Sequence, residues 1–278
     1  IQRSFLGTFV TSVPYLNYAG IAGTDGEARI ALAAEAERLA RSLRADRLEI
    51  RGRDGSDLPL ARWTEKAAFV LPLSAQKSEI WKSVGSKIRA QVKRPAKEGY
   101  TARLDSEATE PFHALLVRRW RELGSPILPM RFFKKLEETF RGGFSYVLVE
   151  LGSEAVAAGA LLAWGGRVEI PWAASHRRHD RSGVNMLLYW TALEYAIDRG
   201  SSAFDFGRST PGTGNAEFKL QWGAIEHRLV WNVVTPHGRG RAHEHGDARR
   251  RLAAAAWRRI PLAWTRKIGP WLAARIPY

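Results

Sequence analysis

The chain has no cysteine among its 278 residues, which excludes disulfides, thiolate zinc sites and a thiol nucleophile. No apolar run approaches the ~20 residues that a membrane-spanning helix needs. Neither a P-loop nor a Rossmann glycine fingerprint occurs. Acidic residues are scarce: 28 Asp and Glu stand against 43 Lys and Arg, for a formal net charge of +15. An excess of that size points to a polyanionic partner, either nucleic acid, an anionic membrane face or a phosphorylated ligand. The 45% hydrophobic and 26% charged fractions are those of an ordinary folded protein. The length suits two domains or one large one.

Residues 170–223 are the most informative segment. A strand is expected to end at Ile170-Pro171-Trp172 and to feed a loop holding His176, Arg177, Arg178, His179 and Arg181. Gly183 then opens an amphipathic helix, Phe204–Gly207 forms a second strand, and Gly212-Thr213-Gly214 precede a short helix ending at Trp222-Gly223. A strand, a basic turn and a helix N-terminus make an anion site, because free backbone N–H groups and the helix dipole both favour phosphate. His176 and His179 could ligate a metal, but the surrounding arginines oppose a cation, so no metal site is expected.

The same strand–helix–strand pattern occurs earlier. Val13-Pro14-Tyr15 stands at a strand end, a helix covers about residues 26–44, and Arg47–Arg51 forms the next strand. Core stripes are expected at Leu32, Ala36, Leu39, Ala40 and Leu43 in the first helix, and at Val184, Leu187, Leu188, Thr191, Ala192 and Tyr195 in the second. The first helix opens with the capping-box pattern Thr24-Asp25-Gly26-Glu27, whose carboxylates would repel phosphate. The first unit is therefore structural and the second the ligand-binding one.

Elsewhere the pattern predicts a strand at 67–73 and a basic helix over 78–98 interrupted near Pro95. Helices follow at 107–123 and 130–141, and strands at 144–151, 155–164, 167–172 and 226–235. This is a mixed α/β chain rather than a doubly wound parallel sheet. It divides into a first lobe (1–103), a second, catalytic lobe (104–236) and a basic tail (237–278). In the tail ten Arg and Lys stand against Glu244 and Asp247, and Trp257, Trp264 and Trp271 recur every seven residues. Such a segment either lies in the plane of an anionic membrane, through about 249–275, or packs its Trp residues on the core as a helical hairpin. His243 and His245 fall in a Gly/Arg-rich loop and are expected to be solvated.

The sequence resembles the FemAB-like branch of the GNAT acyltransferase superfamily, and within it the members associated with exosortase/PEP-CTERM exopolysaccharide systems. The residues that carry the resemblance are Gly124-Ser125-Pro126 with Phe132-Phe133, Asn185 with Tyr189-Trp190, Phe204-Asp205-Phe206-Gly207-Arg208-Ser209, Gly212-Thr213-Gly214, and Phe218-Lys219 with Trp222-Gly223. Weaker matches lie in Lys87–Gly99, Pro14–Gly20 and Trp257–Pro270. The sequence departs from the pattern at Met186, where an acid is usual, and at Thr210, where Lys is usual. The resemblance implies two tandem GNAT-like lobes, each a mixed sheet flanked by helices, with several tens of residues normally preceding Ile1, so that the first lobe is N-terminally incomplete. It also implies N-acyl transfer from acyl-CoA or aminoacyl-tRNA to an amino sugar or lipid-linked glycan precursor at the cytoplasmic face of a bacterial plasma membrane. The alternative is an inactive GNAT scaffold binding RNA or an anionic membrane.

Arg178-His-Asp-Arg181-Ser-Gly183 keeps the ends of the GNAT pyrophosphate loop and replaces its middle glycine. The donor-phosphate candidates are thus Arg178, Arg181, Ser182, Gly183 and Asn185, the last being alternatively a cap. Asp205 is the candidate base or acceptor-orienting group, or else a buried carboxylate paired with Arg208. Arg208 and Lys219 would neutralise phosphate or the developing oxyanion. Trp172, Tyr189, Ser209 and Trp222 are the substrate-binding candidates. Ser209 binds rather than attacks, since no Gly-x-Ser-x-Gly elbow surrounds it. As residues, Trp222 and likewise Phe204, Phe206 and Phe218 read as core ahead of ligand-stacking groups.

Overall fold

The computed structural model describes residues 1–4, 7–23, 25–53, 58–235 and 247–276. Strands β1 (Gln2–Ser4) and β2 (Gly7–Thr11) precede helix α1 (Gly26–Ser42), followed by β3 (Arg47–Arg51), β4 (Arg62–Trp63) and β5 (Ala67–Pro72). Helices α2 (Lys77–Ser83) and α3 (Ser86–Lys97) lead to β6 (Tyr100–Asp105), α4 (Thr109–Leu123) and α5 (Met130–Thr139). The meander β7 (Phe144–Leu151), β8 (Glu154–Trp164) and β9 (Arg167–Ser175) runs through a 3₁₀ turn, Arg177–Ser182, into α6 (Val184–Asp198). Then come β10 (Ala203–Ser209), α7 (Gly214–Leu220), β11 (Ile225–Arg228), β12 (Trp231–Val234), α8 (Asp247–Arg259) and α9 (Leu262–Ala273).

The strands form two mixed sheets, β1-β2-β3-β12-β4 and β11-β5-β10-β9-β8-β7-β6. The sequence pattern implies the mixed α/β architecture, and the resemblance implies its two sheets. The repeat is also real. Among the described strands, β2 with β3 and β9 with β10 are the parallel pairs, and each is bridged by one helix, α1 or α6. Both faces of the larger sheet are covered. Val147, Val149, Leu161, Val168 and Ile170 pack toward α3 and α6, whereas Tyr146, Leu148, Ala160 and Trp172 pack toward α4 and α5. That double burial explains why β7–β9 read as nearly continuous apolar runs.

Several boundaries differ from expectation, each for a local reason. The first-lobe strand ends at Thr11, before Val13-Pro14-Tyr15, and β9 runs past Pro171 to Ser175. The basic helix breaks at Val84-Gly85 and not at Pro95, which sits inside α3 close to its end. The expected strand 226–235 is two strands in different sheets. Between them Leu229, fully buried, donates its N–H to the Lys66 carbonyl as the chain crosses back. The sheets therefore do not divide at 103/104: β5 and β6 belong to the larger sheet and β12 to the smaller. Helix α1 buries Ala33 and Ala40, leaving Leu32 and Leu39 exposed, because the alanine face permits the closer approach to β3. Asp25 caps α1, accepting from the Glu27 and Ala28 N–H groups. Thr24, His243, Glu244 and His245 lie outside the described residues.

Candidate active site

Strands β9 and β10 are hydrogen-bonded only over Arg167–Glu169 against Ala203–Asp205. Both strands continue, but each acquires an extra residue just beyond the last rung. Relative to β8, β9 holds one more residue between Glu169 and Trp172; relative to β5, β10 holds one more between Asp205 and Arg208. Composition supplies the cause. Pro171 has no N–H to give a ladder, and Gly207 adopts φ 72°, a left-handed conformation that glycine takes without Cβ strain. The bulge reverses the facing of β9, so that Ile170 joins the α6-side core and Trp172 the α4-side core.

The two bulged strands splay apart around a cleft of about 370 Å³. Ile170, Pro171, Trp172 and Ala173 form one wall, and Phe206, Gly207, Arg208 and Ser209 the other. Tyr189 of α6, Phe218 and Lys219 of α7, Arg119 and Trp120 of α4, and Tyr15 and Asn17 of the smaller lobe complete the lining.

Charge is concentrated where the strands part. Asp205 and Glu169 are register partners on the last rung. Asp205, 2% exposed, accepts from Tyr18 Oη at 2.5 Å and from the Gly207 N–H at 2.7 Å. Glu169 Oε1 accepts from Asn17 Nδ2 at 2.9 Å. Lys219, 7% exposed, donates to the carbonyls of Gly207 at 2.8 Å and Arg208 at 3.0 Å, which secures the second bulge. Burial pushes the Glu169 carboxyl up to about 8, reinforced by the neighbouring Asp205. Asp205 is also raised by burial, against the pull of its hydrogen bonds and of Lys219. Burial brings the Lys219 ammonium down to about 8, although both carboxylates oppose that shift. Two adjacent carboxyls beside one ammonium hold a proton that can be exchanged near neutral pH. Arg208 lies over the Trp231 ring at 5.1 Å, and Trp231 also meets Arg51 of the smaller lobe at 4.6 Å.

The structure brings together Asp205, Arg208, Lys219, Trp172, Tyr189 and Ser209 at this cleft. Asp205 takes hydrogen bonds from the Tyr18 hydroxyl and the Gly207 N–H. Trp222 is a correction: it is 1% exposed in the core, with an indole N–H that has no partner, and it does not line the cleft. The five donor-phosphate candidates lie beyond the cleft lining. Arg178 is engaged by Glu154 and His179, and Asn185 donates to Ser175, which in turn donates to Asp180. Ser182 interacts with Glu98, while Arg181 is exposed. Gly183 adopts φ 83°, and α6 has no side-chain cap. The Gln91 carbonyl, released from its helix bond by Pro95, packs against Gly183. His176 and His179 are held by Arg118 and Tyr100.

Glu169, Asn17 and Tyr18 were not found from sequence. An acid inside the apolar strand Val168–Trp172 is a usable signal for Glu169. Nothing local ties Asn17 or Tyr18 to residues 152 and 187 positions later. The two family departures also acquire neighbours: Lys66 Nζ donates to Thr210 Oγ1 at 2.5 Å, bringing an ammonium to a position lacking its usual Lys, and Met186 is buried beside Gln221.

The profile of the Acetyltransferase (GNAT) domain family matches residues 82–220, half of the chain. The protein belongs to that family. No curated protein matches it in sequence. Among solved structures it is similar to FemX (TM-score 0.57, 16% identity, covering 80% of this chain and 83% of that one). It is also similar to L-PGS from Bacillus licheniformis (TM-score 0.56, 13% identity, 84% and 80%). A tandem GNAT protein from the clavulanic acid biosynthesis pathway aligns with TM-score 0.52 at 12% identity, covering 74% and 69%. At these identities the likeness is one of fold. Among the described residues no cluster of His, Asp or Glu suited to a metal occurs, and no helix is long and apolar enough to cross a membrane.

Proposed function

We propose that the protein is a FemAB-like acyl- or aminoacyltransferase working in the cleft between β9 and β10. The observation that carries this reading is the pair of bulges that opens two parallel strands directly above a Glu169–Asp205–Lys219 cluster. An opened strand edge offers backbone groups to an extended donor lying along it. Transfer breaks the donor's thioester or ester bond and forms an amide with the acceptor's amine. The proton lost by the amine passes to the carboxyl pair, and the leaving thiol or hydroxyl recovers one from Lys219, whose ammonium is brought down to about 8. Arg208 on the wall opposes the charge that develops on the carbonyl oxygen.

The exposed Arg181 and the uncapped first turn of α6, with Arg178, Ser182, Gly183 and Asn185, form the place for the donor's phosphates, whether of acyl-CoA or of aminoacyl-tRNA. The acceptor is the amine of a cell-envelope or exopolysaccharide precursor, an amino sugar or lipid-linked glycan. That places the enzyme at the inner face of the bacterial plasma membrane, within the branch associated with PEP-CTERM systems. The test is a thermal-shift screen with acyl-CoAs and aminoacyl-tRNA, followed by transfer assays on Arg208→Ala and Asp205→Asn with the donor that binds. Losses of about 10²–10³ are expected for Arg208→Ala. Undiminished transfer in both variants refutes the site.

A further inference from the structure

The C-terminal helices resolve the three regularly spaced tryptophans into two kinds. Trp257 is 7% exposed, with its indole against Gly269, and Ala254 packs against Gly124 at the end of α4. Arg121 donates to the Ile260 carbonyl at 2.6 Å, and Tyr15 Oη donates to the Ala273 carbonyl at 3.3 Å. Thr265, Gly269 and Ala273 form the buried face of α9. The hairpin is therefore held to the body by its inner side. Trp264 and Trp271 are on the other side, 59% and 57% exposed.

Those two rings and Lys267 recur at spacings of three and four residues and so form one stripe along α9, which Arg275 extends just past the helix end. The Arg275 guanidinium lies over Trp271 at 4.2 Å from the ring centroid. From Arg251 to Ile276 the chain carries Arg251, Arg258, Arg259, Arg266, Lys267 and Arg275 and no acidic residue. Two half-exposed indoles in line on a rigidly held helix leave apolar surface in water, and water alone gives no reason for that arrangement. An anionic bilayer does. Indoles favour the boundary between headgroups and acyl chains, and cations beside them meet lipid phosphates. A helix of 12 residues suits lying in that plane and is too short to cross it.

We propose that the outer face of α9 docks on an anionic lipid surface through Trp264 and Trp271, with Lys267 and Arg275 meeting the headgroups. Because Tyr15 both bonds α9 and lines the cleft, the docked helix keeps the cleft close to the bilayer. That favours a lipid-linked acceptor over a soluble one, a consequence that rests on the transferase reading; the docking itself does not.

The test is co-sedimentation of the full chain with vesicles of equimolar phosphatidylglycerol and phosphatidylcholine, without any acyl donor. Wild-type protein is expected to bind, its Trp emission to shift blue, and brominated lipid to quench it. Trp264→Ser/Trp271→Ser is expected to lower partitioning about tenfold with an unchanged melting midpoint, and Lys267→Glu/Arg275→Glu to do the same. Absence of wild-type binding, or equal partitioning by both double variants, overturns the proposal. So does loss of tRNA binding in the Trp variant without loss of vesicle binding, which would make the stripe a base-stacking surface. Failure here leaves cleft-based transfer intact, and inactive cleft variants leave vesicle binding intact.

Discussion

Glu169→Gln should make the protein more stable at alkaline pH, and the structure sets the size of the effect. The Glu169 carboxyl titrates at about 8 in the fold against 4.5 when unperturbed. Between those values the folded chain holds a proton that the unfolded chain has released, so stability falls as pH rises through the window. Carried by Glu169 alone, at about 1.4 kcal/mol per pH unit, the loss would reach about 5 kcal/mol. Sharing the proton with Asp205 and residual solvent contact reduce it to roughly 2–3 kcal/mol. Glutamine keeps an oxygen to accept from Asn17 and cannot ionise. The variant should therefore match wild type near pH 5 and exceed it by that amount at pH 8. For a chain of this size that is a melting midpoint higher by roughly 3–5 °C. Thermal unfolding followed by circular dichroism between pH 5 and 8 reads it. The range stops there because Lys219, lowered to about 8 from 10.5, acts with opposite sign above it: the unfolded chain then binds more protons and stability rises with pH. Parallel curves for variant and wild type would refute a proton-sharing carboxyl pair. The same substitution should slow transfer about 10²-fold or more if the pair accepts the amine's proton.

Gly207→Ala tests the bulge. Its Cβ would stand 3.6 Å from the Ile170 carbonyl oxygen, so space is available and the cost is the left-handed backbone, about 1–2 kcal/mol in urea unfolding. An unchanged midpoint would mean that the strands do not need glycine to part. Gly124→Ala tests the docking of the C-terminal hairpin: the new Cβ would stand 2.6 Å from the Ala254 Cβ, on a residue with φ 85°. Limited proteolysis should then cut after Arg258 or Arg259 faster than in wild type, and equal cleavage would show that the contact does not hold the hairpin.

Much of the fold is legible in the chain because it rests on short-range chemistry. Apolar runs in β7–β9, the Asp25 cap and the glycines at helix ends act within a few residues of themselves. The segment 170–223 stands out in the chain by its basic turn and the helix start at Gly183, whereas the bulges at Pro171 and Gly207 that open the cleft appear only in the strand registers. Leu32 and Leu39 mislead because α1 carries apolar residues around more than one face, and only the sheet beneath selects the alanines. Trp222 is open to both readings, because an aromatic ring in a functional block reads alike whether it faces ligand or core, and the structure settles it as core.

The amino-acid sequence by itself determines the class of fold, the repeated strand–helix–strand units and the excess of positive charge, because periodicity, capping and composition are properties of contiguous residues. Only the tertiary structure decides that Asn17 and Tyr18 reach across from the smaller lobe to Glu169 and Asp205, and that Trp257 is buried while Trp264 and Trp271 face outward. Carboxyl protonation and side-chain exposure depend on what surrounds a residue in three dimensions. Those neighbours come from segments that the linear order keeps far apart.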